Sequence, residues 1–313
     1  MSFSIPQVLL IGNGLNQAYG GCSWSALLND LSTRHDIDAT KLVCPEPLKA
    51  ITVTGDAVDI ALKGKHNQLF GSIQTDKQMH VLHHVLGLGF DHILTTNYSY
   101  ELESAALSKS AISEMTVRKL MNHTPACKRA EGKFLLRTYN EATYQNVSNR
   151  IWHIHGEARK TNSMILGHYY YGNLLYKIKD YCANRGNAYQ KAQKTGRNVD
   201  MNSWIDAFLL GDVYVLGFGF GFSEIDLWWL LNRKKREKAT TGKVYFYQAQ
   251  HSSFDTKTDL LKLLGAEIVT CGFHYRTDAH GKEHLDYADF YCAALGDIQA
   301  KLNRHRNSVE QSV

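Results

Sequence analysis

The sequence predicts an α/β protein built on a doubly wound, Rossmann-like parallel sheet with helical insertions. Three observations favour this fold. Apolar runs such as Val8–Ile11 are short and unbroken, which is typical of strands covered on both faces of a parallel sheet. These runs alternate with stretches of helical periodicity, the order expected when helices pack on a central sheet. Several runs also end at a glycine or an asparagine, at the strand ends where open α/β sheets bind their ligands.

The individual elements follow from local patterns. Four apolar residues between 24 and 31 are spaced for one helical face, so a helix is expected to begin near Ser23. We expect a single domain over residues 1–313, with mostly helical insertions at about 36–90 and 156–203. The other predicted helices are Tyr98–Leu107, Trp204–Leu210, Glu224–Leu231, Thr256–Leu264 and Asp286–Leu302. The predicted strands, of which Lys133–Tyr139 is expected at an edge, are Gln7–Ile11, Asp91–Thr95, Lys133–Tyr139, Arg150–Ile154, Asp212–Leu216, Lys243–Tyr247 and Glu267–Val269.

The composition is that of an ordinary globular protein, with 44% hydrophobic and 21% charged residues among 313. The formal charge of +5 is concentrated in Arg233–Lys238 and Lys301–Arg306, which we expect to be solvated helix ends rather than a nucleic-acid groove. Met1–Gln7 has no basic leader, and the apolar stretch Val213–Leu231 contains two carboxylates. We therefore expect a cytoplasmic protein without a membrane span.

Cysteine and histidine patterns argue against a metal centre. The six cysteines include no C-x-x-C pair, as expected for reduced thiols without a zinc module. The two histidine patterns, at residues 80–84 and at His153-x-His155, have no carboxylate or cysteine nearby in the sequence to complete four ligands. We expect no bound metal.

Four short motifs are the most informative feature. The first, Gly12-Asn13-Gly14-Leu15-Asn16, follows a strand and predicts either a phosphate-binding loop or a plain tight turn. In the first case Asn16 would bond a ribose or phosphate oxygen, and in the second it would cap the turn. The next motif, Thr95-Thr96-Asn97-Tyr98, also follows a strand. Asn97 would either cap the next helix or present a neutral amide to a ligand at the sheet edge.

The third and fourth motifs supply titratable groups. In Ile151–Gly156, His155 stands at a strand end and could exchange a proton near neutral pH, whereas His153 better fits a core histidine bonded to the backbone. The fourth motif runs from Val213 through Gly217-Phe218-Gly219 to Ser223-Glu224-Ile225-Asp226. Its glycines let the backbone approach a ligand. Ser223 and Asp226 could contact that ligand or form a capping box.

The order and content of the four motifs resemble the sirtuin-like family, most closely its bacterial branch that destroys NAD+ in anti-phage defence. The resemblance covers about half the chain and implies an NAD+-consuming enzyme. By this resemblance Asn97 holds water and the nicotinamide ribose, and His155 is the catalytic histidine. The implied NAD+ contacts are Gly12, Gly14, Asn16, Thr96, Gly217, Gly219, Ser223 and Asp226.

The chain also departs from the sirtuin deacylases. Those enzymes carry a four-cysteine zinc module and a Gly-Ile-Pro-Asp-Phe-Arg stretch, in place of which residues 19–24 read Tyr-Gly-Gly-Cys-Ser-Trp. An acyl-lysine channel therefore has no evident support. The family's acidic residue two positions after the asparagine is Ser99 here, and either Ser99 or Glu101 would contact the nicotinamide amide.

The expected function is NAD+ glycohydrolysis, giving nicotinamide and linear or cyclic ADP-ribose, as a regulated abortive-infection effector. Two alternatives stay open: a divergent NAD-dependent protein deacylase, and a catalytically silent nucleotide sensor acting through a partner. The resemblance also implies a homo-oligomer triggered by a partner protein or a nucleotide signal. The sequence does not distinguish NAD+ from NADP+.

Overall fold

A computed structural model describes residues 5–32, 37–55, 62, 69–129, 131–184, 188–195, 201–237, 242–249, 256–272, 275–277 and 283–310. The described chain is a mixed α/β fold with helices on both faces of a mostly parallel sheet, which confirms the predicted fold class. Parts of both predicted insertions, at 56–61, 63–68, 185–187 and 196–200, lie outside the described residues, as do Met1–Ser4 of the amino-terminal segment.

The strands form an eight-stranded sheet and a separate hairpin. The sheet order is β3-β4-β5-β2-β1-β6-β7-β8. From β5 to β8 all neighbours are parallel, whereas β3, β4 and β5 pair antiparallel. The strands are β1 Gln7–Ile11, β2 His92–Thr95, β3 Met121–His123, β4 Thr138–Tyr144, β5 Val147–His153, β6 Asp212–Leu216, β7 Val244–Ala249 and β8 Ala266–Cys271, with the hairpin strands β9 Tyr275–Thr277 and β10 Glu283–Leu285.

The helices cover both faces of the sheet. Short 3-10 turns occur at Ala39–Lys41 and Ala158–Ser163. None of the helices in the described ranges is long and apolar enough to cross a membrane. The α-helices are α1 Gly14–Gln17, α2 Trp24–Leu31, α3 Glu46–Thr54, α4 Asp76–Gly87, α5 Glu101–Ala106, α6 Glu114–Leu120, α7 His168–Ala183, α8 Ala188–Thr195, α9 Trp204–Leu210, α10 Ile225–Arg236, α11 Thr256–Leu263 and α12 Tyr287–Glu310.

Successive residues of the central strand β1 enter different cores. Val8 and Leu10 pack with residues of α7, α9 and α10, whereas Leu9 and Ile11 pack with residues of α4, α5 and α12. Successive strand side chains point to opposite faces of a sheet, so burial on both faces requires the unbroken apolar run seen in the sequence. A third core lies between α2, α3 and the residues that follow β2.

The connections make β1 and β6 the centre of the sheet. From β1 the chain moves outward to β2 and β5, and it then returns to add β6 on the other side of β1. The strand order therefore reverses between β1 and β6. Such a switch point leaves a crevice at the carboxyl ends of the strands, which is where α/β sheets bind ligands.

The prediction of an edge strand at Lys133–Tyr139 is wrong. The strand is β4, Thr138–Tyr144, and it lies inside the sheet between β3 and β5. The Glu131 carboxylate accepts hydrogen bonds from the backbone N–H groups of Leu136 (3.1 Å) and Arg137 (2.7 Å). These donors are thereby withdrawn from a ladder, so the strand begins only afterwards.

The basic cluster at 233–238 is not uniformly solvated, which corrects the expectation for this segment; Lys238 lies outside the described residues. Lys234 is buried, and its ammonium group donates to the carbonyl oxygens of Phe208, Leu209 and Gly211 at 2.7–3.1 Å. Burial lowers the pKa of Lys234 to about 7. The side chain satisfies carbonyls at the carboxyl end of α9 that have no partner within the helix.

Candidate active site

The four motifs leave four adjacent strands at one edge of the sheet. In the paired registers, Ile11 of β1 lies opposite both Thr95 of β2 and Leu216 of β6, and Thr95 lies opposite His153 of β5. The strands therefore end at the same level, in the order β5, β2, β1, β6. This topology brings the four motifs together at one edge of the sheet.

The glycines of the first and fourth motifs lie against each other. The N–H of Gly12 donates to Leu216 O at 3.1 Å, and the N–H of Gly14 donates to Gly217 O at 2.8 Å. A methyl group added to Gly12 or Gly14 would lie 2.6 or 2.8 Å from Gly217 O, and Gly217 itself has φ +64°. The close packing of the two loops is by itself a sufficient reason for glycine at these positions. Their role as NAD+ contacts remains a prediction.

Asn16 is buried behind this junction. Its side-chain oxygen accepts a hydrogen bond from Gln78 Nε2 of α4 at 3.1 Å. Its amide nitrogen makes only a long contact, 3.4 Å, with Asn13 Oδ1. The amide nitrogen is therefore the less tightly held of the two polar atoms, and the role of Asn16 as a ligand contact remains a prediction.

Asn97 does not cap a helix, so that alternative is wrong. Helix α5 begins at Glu101 with Tyr100 as its N-cap, because the Tyr100 N–H donates to Phe70 O and the Tyr98 carbonyl accepts from Ala158 N. The Asn97 side chain is half-buried and makes no hydrogen bond to any described residue. Its amide is available to a ligand. The side chain of the neighbouring Thr96 is likewise half-buried and unbonded within the described chain.

A tight turn fixes His155. Gly156 has φ +91°, and a side chain there would overlap the Ser163 carbonyl, so only glycine fits. The His155 carbonyl accepts from Ile165 N at 2.8 Å. The imidazole, only 2% exposed, is thereby held with Nε2 at 2.9 Å from Asp226 Oδ2 and Nδ1 at 3.8 Å from Glu224 Oε2.

The two carboxylates set the electrostatics of His155. Burial lowers the pKa of the imidazole, but Asp226 and, to a smaller extent, Glu224 outweigh burial and raise it above 6.5. Burial in turn raises the pKa of Glu224. Tyr171 closes the site: its ring meets the His155 ring edge-on at 5.4 Å, and its hydroxyl bonds Glu224.

Asp226 is part of this site and not of a capping box, so the capping alternative for Ser223 and Asp226 is wrong. The N-cap of α10 is Glu224, and the Glu224 side chain makes no capping hydrogen bond. Asp226 is fully buried, and its second oxygen, Oδ1, has no partner among the described residues. Ser223 is half-buried, and Gly219 is exposed with no described atom within 4 Å of an added methyl group.

His155, Glu224 and Asp226 are also the described residues that could hold a metal ion, since their ligand atoms lie within 4.8 Å of one another. The expectation that His153-x-His155 lacks nearby carboxylates is therefore wrong in three dimensions. Asp226 and Glu224 approach opposite nitrogens of the ring, however. The 2.9 Å distance between Nε2 and Asp226 Oδ2 is that of a hydrogen bond, and the absence of a bound metal stays a prediction.

His153 is the core histidine that the sequence predicted. Its Nδ1 lies 2.8 Å from Asn97 O, and its Nε2 lies 2.9 Å from Glu103 Oε1. Burial lowers the pKa of His153, but Glu103 outweighs burial and raises it to about 9. The same Glu103 oxygen accepts from Asn140 Nδ2 at 2.9 Å. This buried network fixes the backbone of Asn97 from behind.

Ser99 and Glu101 are bonded to each other. The Ser99 hydroxyl donates to Glu101 Oε2 at 2.6 Å, so the two side chains act as one unit.

Sequence reasoning missed Glu224 and Tyr171 as neighbours of His155. Glu224 stands inside the fourth motif, where a carboxylate beside Asp226 was a usable signal. Tyr171 carried no such signal, because an aromatic run is more often packing.

The chain matches none of the protein-family models and none of the curated proteins with which it was compared. Its class is therefore defined by the fold and the site together. It is an α/β protein whose central parallel strands end at a buried histidine–aspartate pair, a free asparagine amide and two packed glycine loops.

Proposed function

We propose that the chain is an NAD+ glycohydrolase, which cleaves the nicotinamide–ribose bond to give nicotinamide and ADP-ribose. The observation that carries the proposal is the buried hydrogen bond between His155 and Asp226, 2.9 Å long. It joins two motifs 71 residues apart at the sheet edge where α/β proteins bind nucleotides. A histidine oriented by a buried carboxylate is an arrangement that performs proton transfer.

The hydrogen bond selects the tautomer of His155. When Nε2–H donates to Asp226, Nδ1 is left as the acceptor. Glu224 faces Nδ1 at 3.8 Å, beyond hydrogen-bonding distance, and its side chain is 19% exposed. A ribose hydroxyl can therefore take the place of Glu224 at Nδ1 and pass its proton to the ring.

Asn97 would position the attacking water and the ribose. Cleavage of the nicotinamide–ribose bond passes through an oxocarbenium-like state, as in glycoside hydrolysis, and needs a positioned water. The unbonded amide of Asn97 can donate to the ribose and accept from that water. The network behind it, through His153 and Glu103, keeps the Asn97 backbone in place.

The dinucleotide would extend from this centre across the ends of β1 and β6. The residues that would hold it are Gly12, Gly14, Asn16, Thr96, Gly217, Gly219, Ser223 and Asp226, the last of these through His155. No metal is required, because the leaving nicotinamide departs as a neutral molecule. Attack by a ribose or adenine atom of the same molecule in place of water would give cyclic ADP-ribose.

Nicotinamide release by the purified protein tests the proposal. His155→Ala and Asn97→Ala should each lower NAD+ cleavage by roughly 10²–10⁴-fold, the range for a lost acid–base or positioning group. His92→Gln is the matched control, since His92 is a buried histidine bonded to Trp152 at the opposite end of β2.

Turnover in the His155 and Asn97 variants equal to that of the wild type would remove those residues from the mechanism. Cleavage of acyl-peptides with O-acyl-ADP-ribose as product would favour a deacylase. Binding of NAD+ without turnover, with all candidate activators present, would favour a nucleotide sensor.

A further inference from the structure

Tyr291 on the carboxyl-terminal helix α12 reaches the junction of the two glycine loops. Its side chain is 3% exposed and packs in the core beneath β1. A methyl group added to Gly14 would lie 2.7 Å from the Tyr291 hydroxyl oxygen, and one added to Gly217 would lie 3.2 Å from it. The hydroxyl therefore lies where the first and fourth motifs meet, between the carboxyl ends of β1 and β6.

This hydroxyl makes no hydrogen bond within the described chain. At the junction, the Gly14 N–H is already paired, because it donates to Gly217 O. The ring is buried in the core, but the hydroxyl oxygen is not one of the fully enclosed unpartnered polar atoms of the described chain, so it can meet solvent or a ligand at the junction. The oxygen is thus placed to contact a ligand bound where the two glycine loops meet.

We propose that the Tyr291 hydroxyl donates a hydrogen bond to a phosphate oxygen of the nucleotide bound at this junction. The inference rests on the proposed NAD+ site and extends it to a residue outside the four motifs. Burial raises the pKa of Tyr291 well above its usual range, so the group stays a donor at neutral pH. A donor next to the glycine loops favours ligands with a pyrophosphate over nucleosides without one.

Calorimetric titration of Tyr291→Phe with ADP-ribose and with adenosine tests this contact. We expect ADP-ribose to bind about 10-fold more weakly, the loss of one hydrogen bond to a charged acceptor, with adenosine affinity and melting temperature unchanged. Tyr287→Phe is the control, because Tyr287 lies one helical turn away and is 45% exposed. Its affinity for ADP-ribose should equal that of the wild type.

Equal affinity of wild type and Tyr291→Phe for ADP-ribose would overturn the inference. A loss shared equally by adenosine, or accompanied by a lower melting temperature, would also overturn it, since the effect would then be structural. Because the readout is binding, a protein that binds ADP-ribose but does not cleave NAD+ would refute the proposed function alone. A wild-type protein that binds no ADP-ribose would refute both.

Discussion

His155 lies between two carboxylates at unequal distances, and the difference separates their roles. Asp226 is fully buried and bonded to Nε2, so it can fix the ring and raise its pKa. Glu224 is nearer the surface and lies 3.8 Å from the ring, against 2.9 Å for Asp226, so the proposed substrate can displace it. Asp226 stays bonded to Nε2, and displacement of Glu224 leaves Nδ1 available for proton transfer.

The pH dependence of NAD+ cleavage should report this pair. His155 acts as a base only when neutral, so the rate should rise with pH through a pKa above 6.5. Asp226→Asn removes the charge that raises this pKa. The rising limb of kcat/KM against pH should therefore move to lower pH, and the plateau should fall roughly 10²-fold as orientation is lost. Glu224→Gln should move the limb in the same direction by less. An unmoved limb in Asp226→Asn would exclude the pair from the reaction.

Protein stability should depend on pH through His153. Its folded pKa of about 9 exceeds the ordinary 6.5, so the folded state holds a proton that the unfolded state releases between these values. The contribution is fully present below pH 6.5 and is lost as pH rises through 9, with a slope of at most about 1.4 kcal/mol per pH unit. Urea unfolding of wild type and His153→Gln over this range measures the difference. Parallel slopes in the two proteins would contradict the assignment.

At the scale of the elements, substitutions in the two glycine loops should have different effects. A side chain at Gly14 should affect folding, and one at Gly219 should affect ligand binding. Gly14 is enclosed, with Gly217 O and the Tyr291 hydroxyl within 2.8 Å of an added methyl group, whereas the space around Gly219 is open. Gly14→Val should therefore lower the melting temperature. Gly219→Val should leave the melting temperature unchanged and weaken ADP-ribose binding at least ~10-fold, because its side chain would occupy ligand space. Normal affinity in a folded Gly219→Val protein would place the ligand elsewhere.

At the scale of the whole molecule, an NAD+ hydrolase needs restraint, because unrestrained activity would kill the cell that makes it. We propose that self-assembly and a partner protein or nucleotide signal provide this control, as part of an abortive-infection response to phage. The aromatic run at residues 169–171 offers only part of a contact surface for such assembly. Tyr169 is 71% exposed, but Tyr171 is buried against His155. Phe222 is exposed beside the half-buried Trp228 and extends the apolar surface near the site.

Light scattering and activity measurements test this control together. We expect a multimer with low basal NAD+ cleavage that rises at least ~10-fold when the activator is supplied. The oligomer should persist in His155→Ala, because that residue lies inside the site. A strictly monomeric protein that is fully active alone would show the proposed regulation to be wrong.

Local sequence determined most of the sheet and the order of the motifs. Strands such as Gln7–Ile11 and Asp212–Leu216 occur where the apolar runs predicted them, because burial on both faces of a parallel sheet leaves no other pattern. The helix after Ser23 also begins as predicted, with the Ser23 hydroxyl accepting from Ala26 N. The motifs at the ends of these strands were visible for the same reason: glycine and asparagine interrupt an apolar run.

Only the tertiary structure decided which groups meet. The sequence left Asp226 as either a ligand contact or a helix cap, and its hydrogen-bond partner, His155, is 71 residues away. Lys234 was expected to be solvated, and it is buried against carbonyl groups of another helix. The start of β4 was likewise set by Glu131, which binds the backbone N–H groups that a longer strand would use. Hydrophobic periodicity reports which face of an element is buried. The partner of a buried charge depends on how distant segments pack, and no local pattern contains that information.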